Sequence, residues 1–306
     1  MMALINHTKH LTNSLLGVLA FLTIYLILNT LLVNTPLGGG VGFNSVILDE
    51  IRIRLLPAPF GTDCQINQTH LQPGCEVTSH GYSQWIPAYE VRINNAGFRD
   101  QAYSPDKTAD TYRILILGDS FTFGHGVDND EVYTEVLERL LNQHSRTATF
   151  EVLNLGIPGA GTDTEYFAFQ RYSNYHPDMI LLQTFWNDPS ECAASQKPLT
   201  ESVDRCHCMR FYLKKIQDLA ANLSAPLVIY EVNLSAPLVT YEVNHPDGSC
   251  LDPKPSSLYV VGGGYLGERR YSISREDGHP NREGHGLMAL DLLPAILNIT
   301  ASQVRI

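Results

Sequence analysis

Ser120 closes the run Gly118-Asp119-Ser120, directly behind the apolar stretch 114–117. Its hydroxyl becomes a nucleophile only where a base, an orienting acid and oxyanion donors converge on it. The chain holds a candidate for each part. His279 can take the hydroxyl proton, and Asp277, two residues earlier, can fix the tautomer of its ring. The stretch 154–162, Asn-Leu-Gly-Ile-Pro-Gly-Ala-Gly-Thr, has glycines whose backbone N–H groups can approach a ligand closely. Gly159 is the first choice there, with Gly156 and Gly161 in competition. Asn187, in Phe-Trp-Asn-Asp-Pro at 185–189, can donate a side-chain N–H to an oxyanion, as can the backbone N–H of Ser120. Trp186 can be plain packing or a wall for substrate. Asp119 reads first as a structural hydrogen-bonding residue and second as a substrate contact. Metal chemistry has little support. Cys206-His207-Cys208 lacks a second half at metal-site spacing, and Asp277, His279 and His285 lack a fourth ligand. No metal and no cofactor is expected.

These residues need elements to carry them. Apolar runs at 113–117, 150–155, 179–184 and 226–232 read as strands. Helical patterns at 131–142, 163–172, 209–222 and 281–297 lie between or after them. Short apolar strands alternating with amphipathic helices imply a parallel sheet covered on both faces. The four chemistry-bearing stretches then fall at strand ends or loops on one side of the sheet, where open α/β folds place their ligands. On its own Ser120 reads as a helix N-cap behind a strand; its partners raise it to a nucleophile.

The same stretches resemble, in order, the blocks of the SGNH (GDSL-type) hydrolase superfamily. GDSFTFG at 118–124 puts Ser120 at the nucleophile position, and NLGIPGAGT puts Gly159 at the oxyanion glycine. Asn187 in WND and Asp277 with His279 in DGHPN match the remaining blocks. The resemblance covers about 113–297, and NAGFRD at 95–100 resembles the lead-in of membrane-anchored members. It implies a three-layer α/β/α sandwich around a central parallel sheet, SGNH/flavodoxin-like, and metal-free ester hydrolysis or acyl transfer. Two positions depart from the common pattern. Trp186 stands where a glycine is usual, and one residue separates Asp277 from His279 where many members have two. The shorter spacing resembles exported members that handle acetyl groups on polysaccharides.

The chain has 306 residues, 44% of them hydrophobic and 17% charged, enough for one sizeable core. A formal charge of −11 without a Lys/Arg cluster disfavours nucleic acid, whose phosphates need a basic footprint. Residues 14–33 carry no charge. Nineteen of them at a 1.5 Å rise reach about 28 Å, close to bilayer thickness and longer than the apolar core of a cleaved signal. Lys9 before the span, with Asp49 and Glu50 as the first charges after it, puts the N-terminus in the cytoplasm and the bulk outside. The expected organisation is a cytoplasmic stub and transmembrane signal anchor at 1–34, a linker and irregular lead-in at 35–110, and a hydrolase domain at 111–306.

An even set of six cysteines suits an exported, disulfide-bearing domain, with Cys64–Cys75 the best single pair among fifteen possible connectivities. Residues 222–232 and 233–243 agree at ten of eleven positions, a tandem duplication of one strand segment. Only one copy can fill the central slot; the other must lengthen a loop, add an edge strand or disturb the region. The expected activity is serine ester hydrolysis of an O-acyl group such as acetyl, on a small-molecule or glycan substrate. A lipid or lysophospholipid acyl hydrolase, an O-acyltransferase and a non-catalytic glycan-binding protein are the rivals. The sequence does not set an oligomeric state.

Overall fold

The structure, a computed structural model, describes residues 64–67, 69–79, 87–196, 205–232, 239–242, 250, 258–274 and 277–301. The apolar span 14–33 lies outside them. Among the described residues no helix is long and apolar enough to cross a membrane.

Two small antiparallel pairs come first: β1 (Gln65–Asn67) with β2 (His70–Leu71), and β3 (Glu76–Ser79) with β4 (Tyr89–Arg92). They belong to the compact unit Phe60–Ile306. The chain then alternates β5 (Thr111–Leu117), α1 (Ser120–Phe123), α2 (Tyr133–His144), β6 (Thr149–Asn154), α3 (Thr162–Tyr172), β7 (Met179–Thr184), α4 (Asp188–Gln196) and α5 (Arg205–Asn222). It continues with β8 (Leu227–Val232), β9 (Val239–Glu242), β10 (Leu258–Gly262) and α6 (Arg282–Thr300). The six-stranded sheet runs β6-β5-β7-β8-β10-β9. Its first five strands are parallel and β9 is an antiparallel edge.

Alternation along β5 explains the layers. Ile114 and Ile116 join one core with Leu137 and Leu141 of α2 and Met288, Leu292 and Ile296 of α6. Leu115 and Leu117 join a second core with Ala168 and Phe169 of α3 and Leu213, Ile216 and Ala220 of α5. Side chains two apart share a face, so a strand apolar at every position must be covered on both sides. The α/β/α sandwich with its central parallel sheet is therefore as expected. The elements missed from sequence lack a clear period: α4 begins Asp-Pro-Ser and holds few apolar residues, and β10 is a five-residue run ending in glycine.

The duplication resolves into two roles. The first copy ends α5 and forms β8, between β7 and β10. The second supplies β9, paired in antiparallel register with β10 from Val239↔Val261 to Glu242↔Leu258. The extra segment thus extends the sheet at its edge and leaves the inner strand order intact.

Two buried arginines fasten the lead-in. Arg113 donates to Glu151 Oε2 at 2.7 Å and to the carbonyls of Ser104 and Pro105, each at 2.9 Å. Arg99, 1% exposed, donates to the carbonyls of Phe123, Gly124 and Val127, the turn just past Ser120, and to Glu90 O. Burial lowers its pKa to about 10, so it keeps its charge at neutral pH. Arg99→Met should cost about 3–5 kcal/mol, because several carbonyls lose their donor where water cannot replace it. Urea denaturation of the two chains measures this, and a loss below about 1 kcal/mol would contradict the fastening role.

Candidate active site

Every chemistry-bearing stretch follows the C-terminal end of a parallel strand: Ser120 after β5, 154–162 at the end of β6, 185–189 after β7, and Asp277 with His279 after β10. Asp119 caps α1 by accepting the Phe121 N–H at 2.9 Å, which turns the chain sharply at Ser120. Gly124 closes this short helix in a left-handed conformation, φ +87°.

The nucleophile turn is bonded directly to the next loop. Ile157 N donates to Gly118 O at 3.1 Å, and the buried Asn154 amide donates to Thr122 O at 2.8 Å. Gly156 has no room for a side chain, since a Cβ would sit 2.2 Å from Phe123 N; at Gly161 it would sit 2.2 Å from Cys192 N. Both are packing glycines. Gly159 is exposed, has φ +72° and meets nothing within 4 Å, so of the three it alone presents open backbone.

Three side chains form a hydrogen-bonded line. Ser120 Oγ lies 2.8 Å from His279 Nε2, and His279 Nδ1 lies 2.6 Å from Asp277 Oδ1. The one-residue spacing between Asp277 and His279 works because the loop closes on itself. Asp277 Oδ1 also accepts the His279 backbone N–H at 2.9 Å, and Ser274 Oγ accepts the Asp277 N–H at 3.1 Å. Ile273 N–H binds His279 O at 2.9 Å, and Asn281 caps α6 through the N–H groups of Glu283 and Gly284. Asp277 is 5% exposed, so its contact with the ring is shielded from water.

His125, not singled out from sequence, stands against His279 with ring centroids 4.8 Å apart and bonds Tyr89 OH through Nδ1 at 3.2 Å. Burial drives its pKa down to about 4, helped by the His279 charge, so it is neutral at pH 7. Its signal in the sequence was only its place in the turn after Ser120. His285 is remote from this chemistry. It is fully buried, accepts the Tyr133 N–H at 3.3 Å, and burial lowers its pKa to about 3.

Trp186 is 76% exposed, which removes the packing reading. An aromatic path joins it to the base: Trp186 to Phe185 at 5.9 Å, Phe185 to Phe121 at 4.5 Å, Phe121 to His279 at 5.3 Å. Asn187 Nδ2 donates to Glu191 Oε1 at 2.9 Å, so its amide is held at the N-terminal turn of α4. Asp119 requires a correction. It is 1% exposed and turned inward to its cap, so it offers no surface to a substrate.

Asp119, Asp188, Glu191 and Glu165 lie together behind the nucleophile turn. Burial raises all four carboxyls, Glu191 to about 7, and the negative neighbours add to the rise at Asp188, Glu191 and Glu165. The cysteines pair as Cys64–Cys75, the pair expected, with Cys192–Cys208 and Cys206–Cys250. The Cys-His-Cys run is thus two disulfide ends.

Residues 114–229 match the family model of the GDSL-like lipase/acylhydrolases. Among solved structures, a two-domain esterase active on acetylated mannans is 14% identical over 62% of this chain and 50% of its own, TM-score 0.44. A member of the lipolytic G-D-S-L family from Veillonella parvula is 15% identical over 60% of this chain and 97% of its own, TM-score 0.40. AlinE4, an SGNH-hydrolase family esterase, is 20% identical over 40% of this chain and 60% of its own, TM-score 0.32. The chain thus spans half the length of the mannan esterase and 60% of AlinE4. No curated protein matches it. The family model thus lies across the nucleophile turn, the glycine loop and the Asn187 turn, and over these residues the chain is similar to the GDSL-like lipase/acylhydrolases.

Proposed function

We propose that this chain is a serine esterase that removes a small O-acyl group, acetyl in the simplest case, from a carbohydrate-linked ester. The observation that carries this reading is the line Ser120 Oγ, His279 and Asp277, closed at 2.8 Å and 2.6 Å. His279 Nε2 takes the Ser120 proton as Oγ attacks the ester carbonyl, and Asp277 holds the other ring nitrogen as the positive charge forms. The backbone N–H groups of Ser120 and Gly159, with the Asn187 amide, receive the oxyanion. The tetrahedral intermediate collapses, the leaving alkoxide takes the proton from His279, and Ser120 carries the acyl group. Water, deprotonated by His279, then releases the acid.

Exposed Trp186, one aromatic path away from His279, supports a sugar ring as the acceptor side of the ester, since aromatic faces suit sugar C–H surfaces. The uncharged span 14–33 and three disulfides support a membrane-anchored protein with its hydrolase domain on the extracytoplasmic side. Turnover of p-nitrophenyl acetate and of an acetylated oligosaccharide, set against a long-chain p-nitrophenyl ester, tests the acyl preference. Acetyl esters should be turned over at least about tenfold faster; a long-chain preference would point to lipid substrates and overturn the reading. Asn187→Ala should lower turnover about 10²–10³-fold, the usual cost of one oxyanion donor, with KM little changed. A change confined to KM would remove Asn187 from the oxyanion site.

A further inference from the structure

Two hydrogen bonds pin the nitrogens of the base: Nε2 lies 2.8 Å from Ser120 Oγ, and Nδ1 lies 2.6 Å from Asp277 Oδ1. They do not set how the ring rolls about the axis through those nitrogens. The Nε2 lone pair lies in the ring plane but off that axis, so a roll turns it away from the Ser120 proton and weakens the bond. The bonds from Ile273 N–H to His279 O and from His279 N–H to Asp277 Oδ1 hold the loop backbone, not the ring. The plane of His279 has to be set by what its faces touch.

Two rings of the nucleophile turn lie against it. Phe121 is 5.3 Å from the His279 ring, centroid to centroid, and His125 is 4.8 Å away with its plane inclined by 52°. His125 is held in turn by the lead-in. Its Nδ1 bonds Tyr89 OH at 3.2 Å, and the two rings meet edge-on at 5.7 Å. Tyr89 is 2% exposed on β4, packed in a small core with Leu71, Val91 and Phe123. The backbone under His125 is fastened too. Its N–H and that of Gly124 donate to Ser120 O, each at 3.0 Å, and Arg99 binds the carbonyls of Phe123, Gly124 and Val127. Gly126, at φ +85°, lets the base loop come down onto this turn: a Cβ there would sit 2.0 Å from Ile273 Cδ1. Burial keeps His125 uncharged at pH 7, with a pKa of about 4, so it sets no positive charge beside the imidazolium that forms on His279.

We propose that His125, anchored by Tyr89, is a positioning residue that sets the ring plane of His279, so that strand β4 of the lead-in takes part in the site. This rests on the esterase reading, since the ring it positions is the base of that reaction. The role differs from that of Asp277, which fixes the tautomer through Nδ1.

The test uses the full chain in detergent, with p-nitrophenyl acetate as substrate and a fluorophosphonate probe whose labelling end point counts competent sites. Turnover is expressed per labelled site, so unfolded protein drops out. His125→Ala should lower kcat per site about 30–100-fold with KM little changed, the order of loss that a reacting group misplaced by about 1 Å brings. His125→Phe restores a ring without the Tyr89 bond and should recover to within about tenfold of wild type. Tyr89→Phe keeps both rings, removes the hydroxyl anchor and should lose about three- to tenfold. A merely structural role would lower Tm or the number of labelled sites and leave kcat per site as in wild type. His125→Ala within about threefold of wild type per site, or His125→Phe no better than His125→Ala, overturns the proposal. If His125→Ala does not fold, Tyr89→Phe decides, and an unchanged kcat per site overturns it. A folded wild type that neither labels nor turns over ester removes the esterase reading and this inference with it, and that result shows before any variant is made.

Discussion

Ser120→Ala is expected to lose ester turnover by about 10⁵–10⁶ while keeping its fold. In a hydrogen-bonded nucleophile, base and acid, loss of the nucleophile alone removes about as much as loss of all three. The side chain of Ser120 has one described bond, to His279 Nε2 at 2.8 Å. The turn around it is held by other groups: the Asp119 cap, the Gly124 and His125 N–H groups on Ser120 O, and Ile157 N on Gly118 O. A half-buried hydroxyl in such a setting should change stability by no more than about 0.5–1 kcal/mol. Turnover and denaturation measured on the same preparation separate the chemical role from a structural one. Retention of more than about a hundredth of wild-type turnover would contradict the assignment.

The next largest effect is expected at Asp277. Asp277→Asn should lower kcat about 10⁴-fold with KM little changed. Asp277 Oδ1 accepts both the backbone N–H of His279 and, at 2.6 Å, its ring Nδ1. An amide of the same shape can keep the backbone bond, yet its NH₂ group can turn a donor toward Nδ1. The ring then carries its proton on Nε2, facing Ser120, and cannot accept one. The carboxylate that faced the forming imidazolium is also gone. The split between kcat and KM is the readout. A variant within tenfold of wild type would mean that another group orients His279, and His125, 4.8 Å away, would be the first to examine.

The sheet and four of its five parallel strands were legible because 113–117, 150–155, 179–184 and 226–232 are mostly apolar, the signature of strands covered on both faces. Ser120, Asn187, Asp277 and His279 were legible for a related reason. Each sits in a short turn behind such a run or before a capped helix. What stayed hidden depends on distance in sequence. Arg99 holds the nucleophile turn through carbonyls of residues 123–127, and nothing in NAGFRD says that its guanidinium reaches them. His125 meets His279 only after the chain has crossed the sheet. Asp119 and Glu165 lie 46 positions apart and share a buried cluster only because α3 packs against α4. The duplicated copies could not be ranked from sequence, since their strands differ only at Ile229 and Thr240. Ile229 is buried in the core beside Leu182, so the first copy fills the inner position with an apolar side chain where the second offers a hydroxyl.

The central claim is that Ser120 is a nucleophile activated by His279. A fluorophosphonate probe reacts with such a serine and stays covalently attached. Labelling of the full chain followed by peptide mass spectrometry should place one adduct on Ser120, with none formed in Ser120→Ala. No adduct on the folded wild-type chain, or an adduct that persists in Ser120→Ala, would contradict it.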